Sequence, residues 1–297
     1  MQIVFIHRSK AFLPELDAYT RYFNQQGIQT TILTNLEKDV PADVEWYFMG
    51  TYSKRKAVVT IHEYASASVP PVASLKDLVK RKINAKPDFR IFNNDYVRQQ
   101  LAFRDTIPEG IRDFGIDPEP VQIATGKKEY DFVYTGSVAA HRKLGALCRC
   151  FTHGALREHS LLILSNQYEP LVKQMSSHRN IIFAGPVPHR EVRNYLMKAA
   201  YGINYTVDEP PFNHQTSAKL IEYAAAGLPV ITNSYAWVNA FEQKSGGAFF
   251  MIDNDFSNLT WEQVNNFNYK RPDLSGWTWE EQIRKSGVVE FLRSKFP

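Results

Sequence analysis

Cysteine is nearly absent: the chain has 2 in 297 residues. Cys148 and Cys150 stand two apart, with no second pair to complete a zinc site. They are expected to be reduced thiols of a cytosolic protein. Long apolar runs are also missing, and none nears the ~18 residues of a membrane span. One-sided charge is missing too. The 35 Lys and Arg nearly balance 31 Asp and Glu, and a net charge of +4 leaves no nucleic-acid footprint. There is no repeat and no low-complexity tract. The opening MQIVFIHRSK runs directly into a strand pattern, so no signal peptide is expected. That expectation weighs against an exported two-lobed binding protein. What remains is a globular composition, 44% hydrophobic and 22% charged, long enough for two domains.

Periodicity then organises the chain. QIVFIH, IQTTILT, VEWYFMG, AVVTIH and FRIFNN read as five strands. FLPELDAYTRYFNQQG reads as a helix, with Leu16, Tyr19, Tyr22 and Phe23 on one face and Gly27 as its stop. No helix is legible between the third and fourth strands. The stretch DPEPVQIATGKKEY, near 117 to 130, is rich in Pro, Gly and charge and is the candidate linker. A second alternating series follows: YDFVYTGS, RKLGALCRCFTHGAL, SLLILSN, PLVKQMSSH, NIIFAGPV, HREVRNYLMKAA and YGINYTV. SAKLIEYAAAG and PVITN close the series, and WTWEEQIRKSGVVEFLRSKF reads as one amphipathic helix. Strands alternating with helices predict α/β architecture with parallel sheets covered on both faces. Two doubly wound halves joined by a linker predict a cleft, with ligands beyond the carboxyl ends of the strands.

The stretch SAKLIEYAAAGLPVIT concentrates the chemistry. Gln215, Thr216 and Ser217 precede or open a helix whose first N–H groups and dipole favour an anion, and Lys219 adds charge there. Leu220, Ile221, Ala224 and Ala225 are expected to form its apolar face. Gly227 is expected to end it in a left-handed conformation, with Pro229 preventing continuation. Glu222 can accept from both hydroxyls of a ribose, because a carboxylate has two acceptor oxygens. Upstream, Gly136 ends a strand and allows close backbone approach. Arg142 and Lys143 follow it, as basic residues where the dipole of a first helical turn opposes them.

The pattern S-x-K-x-x-E-Y-x-x-x-G-x-P-V-I resembles the nucleotide-sugar signature of GT-B glycosyltransferases, in particular glycosyltransferase family 4. The resemblance covers about residues 131 to 250, while the N-terminal half is similar only in layout. It implies two doubly wound, Rossmann-like parallel-sheet domains facing a cleft: 1–120 on the acceptor side and 121–280 on the nucleotide-sugar side. Residues 281–297 would form a helix packing back toward the first domain. It implies transfer of a hexosyl unit from a nucleoside-diphosphate sugar, retaining and metal-independent, with no cofactor beyond that co-substrate. Glu222 would bind ribose. Gly136, Ser137, Thr216, Ser217 and Lys219 would hold the diphosphate. Gly185, Pro186 and Val187 would lie against the base, and His214 and Gln215 near the donor sugar. His62, Arg142 and Lys143 would be the catalytic candidates. Two positions depart from the family pattern. Ser137 stands where the family has an arginine, and His214 where it has the first glutamate of E-x7-E. A sugar-nucleotide 2-epimerase of similar fold and a non-catalytic sugar-nucleotide-binding protein are the alternatives. The Asp253–Asp255 sequence DND mimics a metal-binding Asp-x-Asp but is set aside for its late, loop-like position.

Acceptor chemistry is read from charge. Residues 51–90 carry nine lysines and arginines against three acids. SLKDLVKRKINAK could make a basic amphipathic helix suited to an anionic membrane surface or a phosphorylated acceptor. His7, Arg8 and Lys10 follow the first strand. The expected partner is therefore a saccharide acceptor, anionic or lipid-linked, of the cell-surface polysaccharide or lipopolysaccharide kind. The expected location is cytoplasmic, at the inner membrane face, with no nucleic acid. Asn93 and Asn94, at the end of the fifth strand, are either sugar ligands or a turn.

Overall fold

The computed structural model describes residues 1–7, 13–34, 40–48, 57–68, 72–117, 128–139, 142–165, 168–175 and 177–297. Arg8, Lys10, most of the candidate linker and the basic residues 54–56 lie outside them, as does most of the connection between the third and fourth strands. In chain order the elements begin with β1 Gln2–His7, α1 Pro14–Gln25, β2 Gln29–Leu33, β3 Val44–Phe48, β4 Val59–Tyr64 and α2 Ala73–Ile83. They continue with β5 Phe89–Phe92, α3 Asp95–Leu101, β6 Glu109–Ile111, β7 Tyr130–Thr135, α4 Gly145–Thr152, β8 Leu161–Leu164 and α5 Glu169–Met175. Next come β9 Ile181–Phe183, α6 His189–Met197, β10 Ala199–Asn204, α7 Ala218–Ala225, β11 Val230–Asn233 and α8 Ala236–Ser245. The chain closes with β12 Phe250–Ile252, α9 Trp261–Asn266, α10 Trp279–Lys285 and α11 Val288–Lys295.

These elements form two compact units, Met1–Asp117 with Ser275–Pro297, and Pro118–Leu274. Among the described residues each unit holds one six-stranded sheet, in the order β2-β1-β3-β4-β5-β6 and β12-β11-β10-β7-β8-β9. The ladder pairings in both are parallel. In each sheet the strand order reverses once, between β1 and β3 in the first unit and between β7 and β10 in the second. Doubly wound sheets bind ligands beyond the carboxyl ends at such reversals. In the first unit the segments leaving β1 and β3 fall outside the described residues. In the second the segments leaving β7 and β10 are described except for 140–141.

The first unit is an aromatic core with a buried ion cluster. Strands β3 and β4 are buried at every residue, as a sheet covered on both faces requires. Phe5, Tyr19, Phe23, Trp46 and Phe48 interlock, with the Tyr19 and Trp46 rings 4.4 Å apart. Ile283, Val288, Val289 and Leu292 of the two C-terminal helices join this core. The single C-terminal helix expected from the pattern is two helices. Gly287, at φ +71°, takes the left-handed conformation that a continuous helix does not allow. Inside the unit, Arg112 donates from Nε to Glu63 Oε1 (2.8 Å) and reaches Glu15 at 3.4 Å, while Trp46 Nε1 donates to Glu63 Oε2 (2.9 Å). Burial pushes the Glu63 carboxyl up, and the Arg112 charge opposes that.

His62, a catalytic candidate, and its neighbour Glu63 do not close β4. The strand instead runs on to Tyr64, whose ring stacks on Phe92 in β5, so both residues sit within the sheet and are buried. His62 lies edge-on to Tyr47 and Tyr64. Asn94 caps α3, its Oδ1 accepting from the Val97 amide (3.0 Å), which is the turn reading of that residue.

Candidate functional site

The site is built on the second unit. Helix α7 lies over β10, and what lets it settle there is a glycine. A Cβ on Gly202 would meet the Tyr223 ring at 2.6 Å. The tyrosine, not Ala225, completes the buried face with Leu220, Ile221 and Ala224, and its hydroxyl accepts from the Thr135 amide at 2.7 Å. That bond ties α7 to the last residue of β7. Gly227 takes φ +77°, ending the helix as its sequence predicts.

A buried polar lattice fixes the start of α7. Asn204, the last residue of β10, is fully buried. Its Nδ2 donates to Thr232 Oγ1 and to the Tyr235 hydroxyl, both at 2.9 Å, and its Oδ1 accepts from Ser217 Oγ at 2.7 Å. Asn233 exchanges two bonds with the Thr206 backbone. The Ser217 hydroxyl, expected to meet a phosphate, is thus spent on positioning, and no side chain caps the helix. The N–H groups of its first turn are therefore without a side-chain cap.

Cations collect beside that turn. The helix expected to begin near Arg142 starts at Gly145. Arg142 lies in a short turn before it and Lys143 takes φ +52°, so neither is in a first helical turn. Arg142 stands 5.1 Å over the ring of Phe212, in the 3-10 turn Phe212–His214. Lys219 donates to the Tyr205 carbonyl at 2.7 Å and stands 4.7 Å over the Tyr134 ring. Burial, with the nearby Arg142 charge adding to it, brings the Lys219 ammonium down to about 7. Burial also pushes the Tyr134 hydroxyl up to about 12, and it donates to the Ser137 carbonyl (3.1 Å) in the loop after β7. Among the described residues neither Arg142 nor Lys219 has a carboxylate partner. Lys143 does, since its exposed ammonium lies 2.7 Å from Glu209, which raises its pKa.

Glu222 lies on α7, and His189 at the start of α6 brings its Nε2 to within 2.9 Å of Glu222 Oε1. His189 stands two residues beyond the segment Gly185, Pro186 and Val187. Gly185 takes φ +81°, its carbonyl accepts from the Tyr168 hydroxyl (2.5 Å), and Pro186 is exposed. His214 and Gln215 are partly exposed just before α7. The structure therefore gathers Gly136, Ser137, Arg142, Lys143, Ser217 and Lys219 where β7 and β10 end, and pairs Glu222 with His189. His62 belongs to the other unit.

Sequence reasoning missed Asn204, His189, Glu209 and Phe212. A polar residue closing the apolar strand YGIN, and a histidine opening a helix after GPVP, were the signals for the first two. Asp253 and Asp255 sit in a turn where the Asp255 carboxylate accepts the Ser257 amide. Among the described residues no three His, Cys, Asp or Glu gather as a metal site, and no helix is long and apolar enough to cross a membrane.

The chain matches no family model, and no curated protein matches it by sequence. Solved structures do resemble it. Anabaena Alr3699/HepE in complex with UDP-glucose superposes with a TM-score of 0.64 at 11% identity, over 99% of this chain and 98% of that one. AviGT4, a glycosyltransferase involved in avilamycin A biosynthesis, gives 0.59 at 12% identity, over 99% and 95%. An alpha-glucosyltransferase bound to UDP-glucose and DNA containing an abasic site gives 0.58 at 8%, over 99% and 97%. Identities this low speak to fold, and the fold they share with this chain is GT-B, whose two units are each a doubly wound, parallel α/β sheet.

Proposed function

We propose that the protein is a glycosyltransferase that takes a hexosyl unit from a nucleoside-diphosphate sugar bound to the second unit. The observation that carries this is the pair Arg142 and Lys219. Two cations share one corner without a carboxylate partner among the described residues, beside the uncapped turn of α7 and beyond the strand reversal. A diphosphate fits that corner by charge, and N–H groups of the helix turn can donate to it. Glu222 would take the ribose hydroxyls with the oxygen that His189 leaves open, and the 185–187 backbone would face the base. His214 and Gln215 would lie toward the sugar.

As the bond from the sugar C1 to the diphosphate oxygen breaks, negative charge gathers on the leaving group. Arg142 and Lys219, set in place beforehand, stabilise that charge without a metal ion. Lys143 joins them by exchanging Glu209 for phosphate. The acceptor oxygen bonds to C1 on the face the leaving group departs from, and its proton passes to the departing phosphate, which gives retention. The acceptor we propose is a saccharide, anionic or lipid-linked. The likeness to proteins solved with UDP and UDP-glucose supports the donor class.

A thermal-shift screen of UDP, GDP, ADP and CMP tests the donor site, because a ligand that binds only the folded state raises its apparent stability. One of them is expected to raise the melting temperature. The shift should be lost in Arg142→Ala and weakened in Glu222→Gln, which should also stop distinguishing the nucleotide from its 2′-deoxy form. No shift with any of them, or an equal shift in Arg142→Ala, refutes the proposal. Transfer or donor hydrolysis, lost in Lys143→Ala, separates an enzyme from a binding protein.

A further inference from the structure

Helix α2 is inside out. Among the described residues eight large apolar side chains stand exposed, and five of them lie on this helix or at its entry: Val72, Leu75, Leu78, Val79 and Ile83. Leu75, at 57% exposure, and Ile83, at 56%, are bare rather than grazed by solvent. Val72, Leu75, Val79 and Ile83 fall on one stripe at helical spacing. The inward side is the polar one. Asp77 is buried with Lys80 3.8 Å away, and Asn84 Nδ2 donates to the Tyr64 hydroxyl. A surface helix ordinarily buries its apolar stripe. This one is anchored by polar groups and offers the stripe to its surroundings.

The charges beside the stripe have one sign. Lys76, Lys82 and Lys86 are exposed and Arg81 is half-buried, while Asp77, the acid of the helix, faces inward. An open depression of about 590 Å³ adjoins the stripe, walled by Ala67, Leu75 and Val79 with Lys76 and Lys80 among its lining. An apolar stripe flanked by lysines complements a surface that is apolar beneath and anionic at its rim. A second copy of the chain fits worse, because a two-fold contact through this face would bring the lysines of both copies together while Asp77 faces inward.

We propose that α2 is a peripheral membrane anchor. Its apolar stripe enters the interface of a bilayer containing anionic phospholipid, and Lys76, Lys82 and Lys86 meet the headgroup phosphates. At 11 residues the helix lies in the interfacial plane and is too short to cross. The proposal stands independently of the donor site.

Flotation of the full chain with vesicles tests it, comparing phosphatidylcholine alone with phosphatidylcholine containing about a quarter phosphatidylglycerol. The protein is expected to float with the anionic vesicles and not the neutral ones, and to be partly released by salt. Leu75→Ser combined with Ile83→Ser should abolish flotation while leaving nucleotide binding and the thermal midpoint in place, since both side chains are already exposed. Lys76→Gln and Lys82→Gln should each weaken binding about five-fold. Failure to float, flotation indifferent to the serine variant, or a dimer that this variant dissociates overturns the proposal.

Discussion

Lys219 makes the donor reading quantitative. Without ligand its ammonium titrates at about 7, because burial and the Arg142 charge oppose protonation. A diphosphate placed between the two cations favours the charged form and raises that pKa toward the ordinary lysine value. Above about pH 7, therefore, binding takes up a proton, and affinity falls as pH rises. With a free-state pKa of about 7 and a complex pKa near the ordinary ~10.4, affinity drops about twenty-fold between about pH 7.5 and about pH 9. That window lies above the ionisation of a terminal phosphate, whose second pKa is about 6, so the diphosphate itself stays fully charged. Isothermal titration calorimetry with UDP in buffers of different ionisation enthalpy measures both the affinity and the proton taken up. Lys219→Arg keeps its charge throughout and should flatten the profile at high affinity. Lys219→Met should flatten it at low affinity. A flat wild-type profile, or a slope that survives in Lys219→Met, refutes the role assigned to Lys219. Failure of any nucleotide to bind refutes the donor site itself.

Three further outcomes follow from the geometry. Glu209→Gln releases Lys143 from its ion pair and should tighten nucleoside-diphosphate binding a few-fold in the same titration, with no change in the melting temperature. Gly202→Ala drives a methyl group into the Tyr223 ring 2.6 Å away. It should destabilise the protein by about 1–3 kcal/mol in urea denaturation, and an unchanged midpoint would show that α7 is not held as described. Arg112→Met leaves the buried carboxylates of Glu15 and Glu63 without their cation and should cost about 3–5 kcal/mol. Adding Glu63→Gln should recover part of that loss, and a single variant as stable as the parent would contradict the buried cluster.

Much of the fold was legible because periodicity is local. The α/β alternation, β1 to β5, β7 to β11 and the Gly227 stop all followed from spacing and turn residues. Elements with weak or short patterns escaped. Strand β6 is three residues long and half-exposed, and α8, β12 and α9 carry no clean stripe. The C-terminal stripe continues through Gly287, so the pattern concealed a break that backbone conformation imposes.

The sequence by itself determined the parallel α/β class and marked the segments that gather where β7 and β10 end, because hydrophobic spacing and helix termini are written in neighbouring residues. Only the tertiary structure decided which groups are available. It turned the Ser217 hydroxyl inward to Asn204, closed Lys143 onto Glu209, enclosed His62 and Glu63 within β4, and left Arg142 and Lys219 beside α7 with no carboxylate partner among the described residues. It also turned α2 so that its lone acid is buried and its leucines face outward. Availability depends on partners distant in the chain, and no local pattern encodes those.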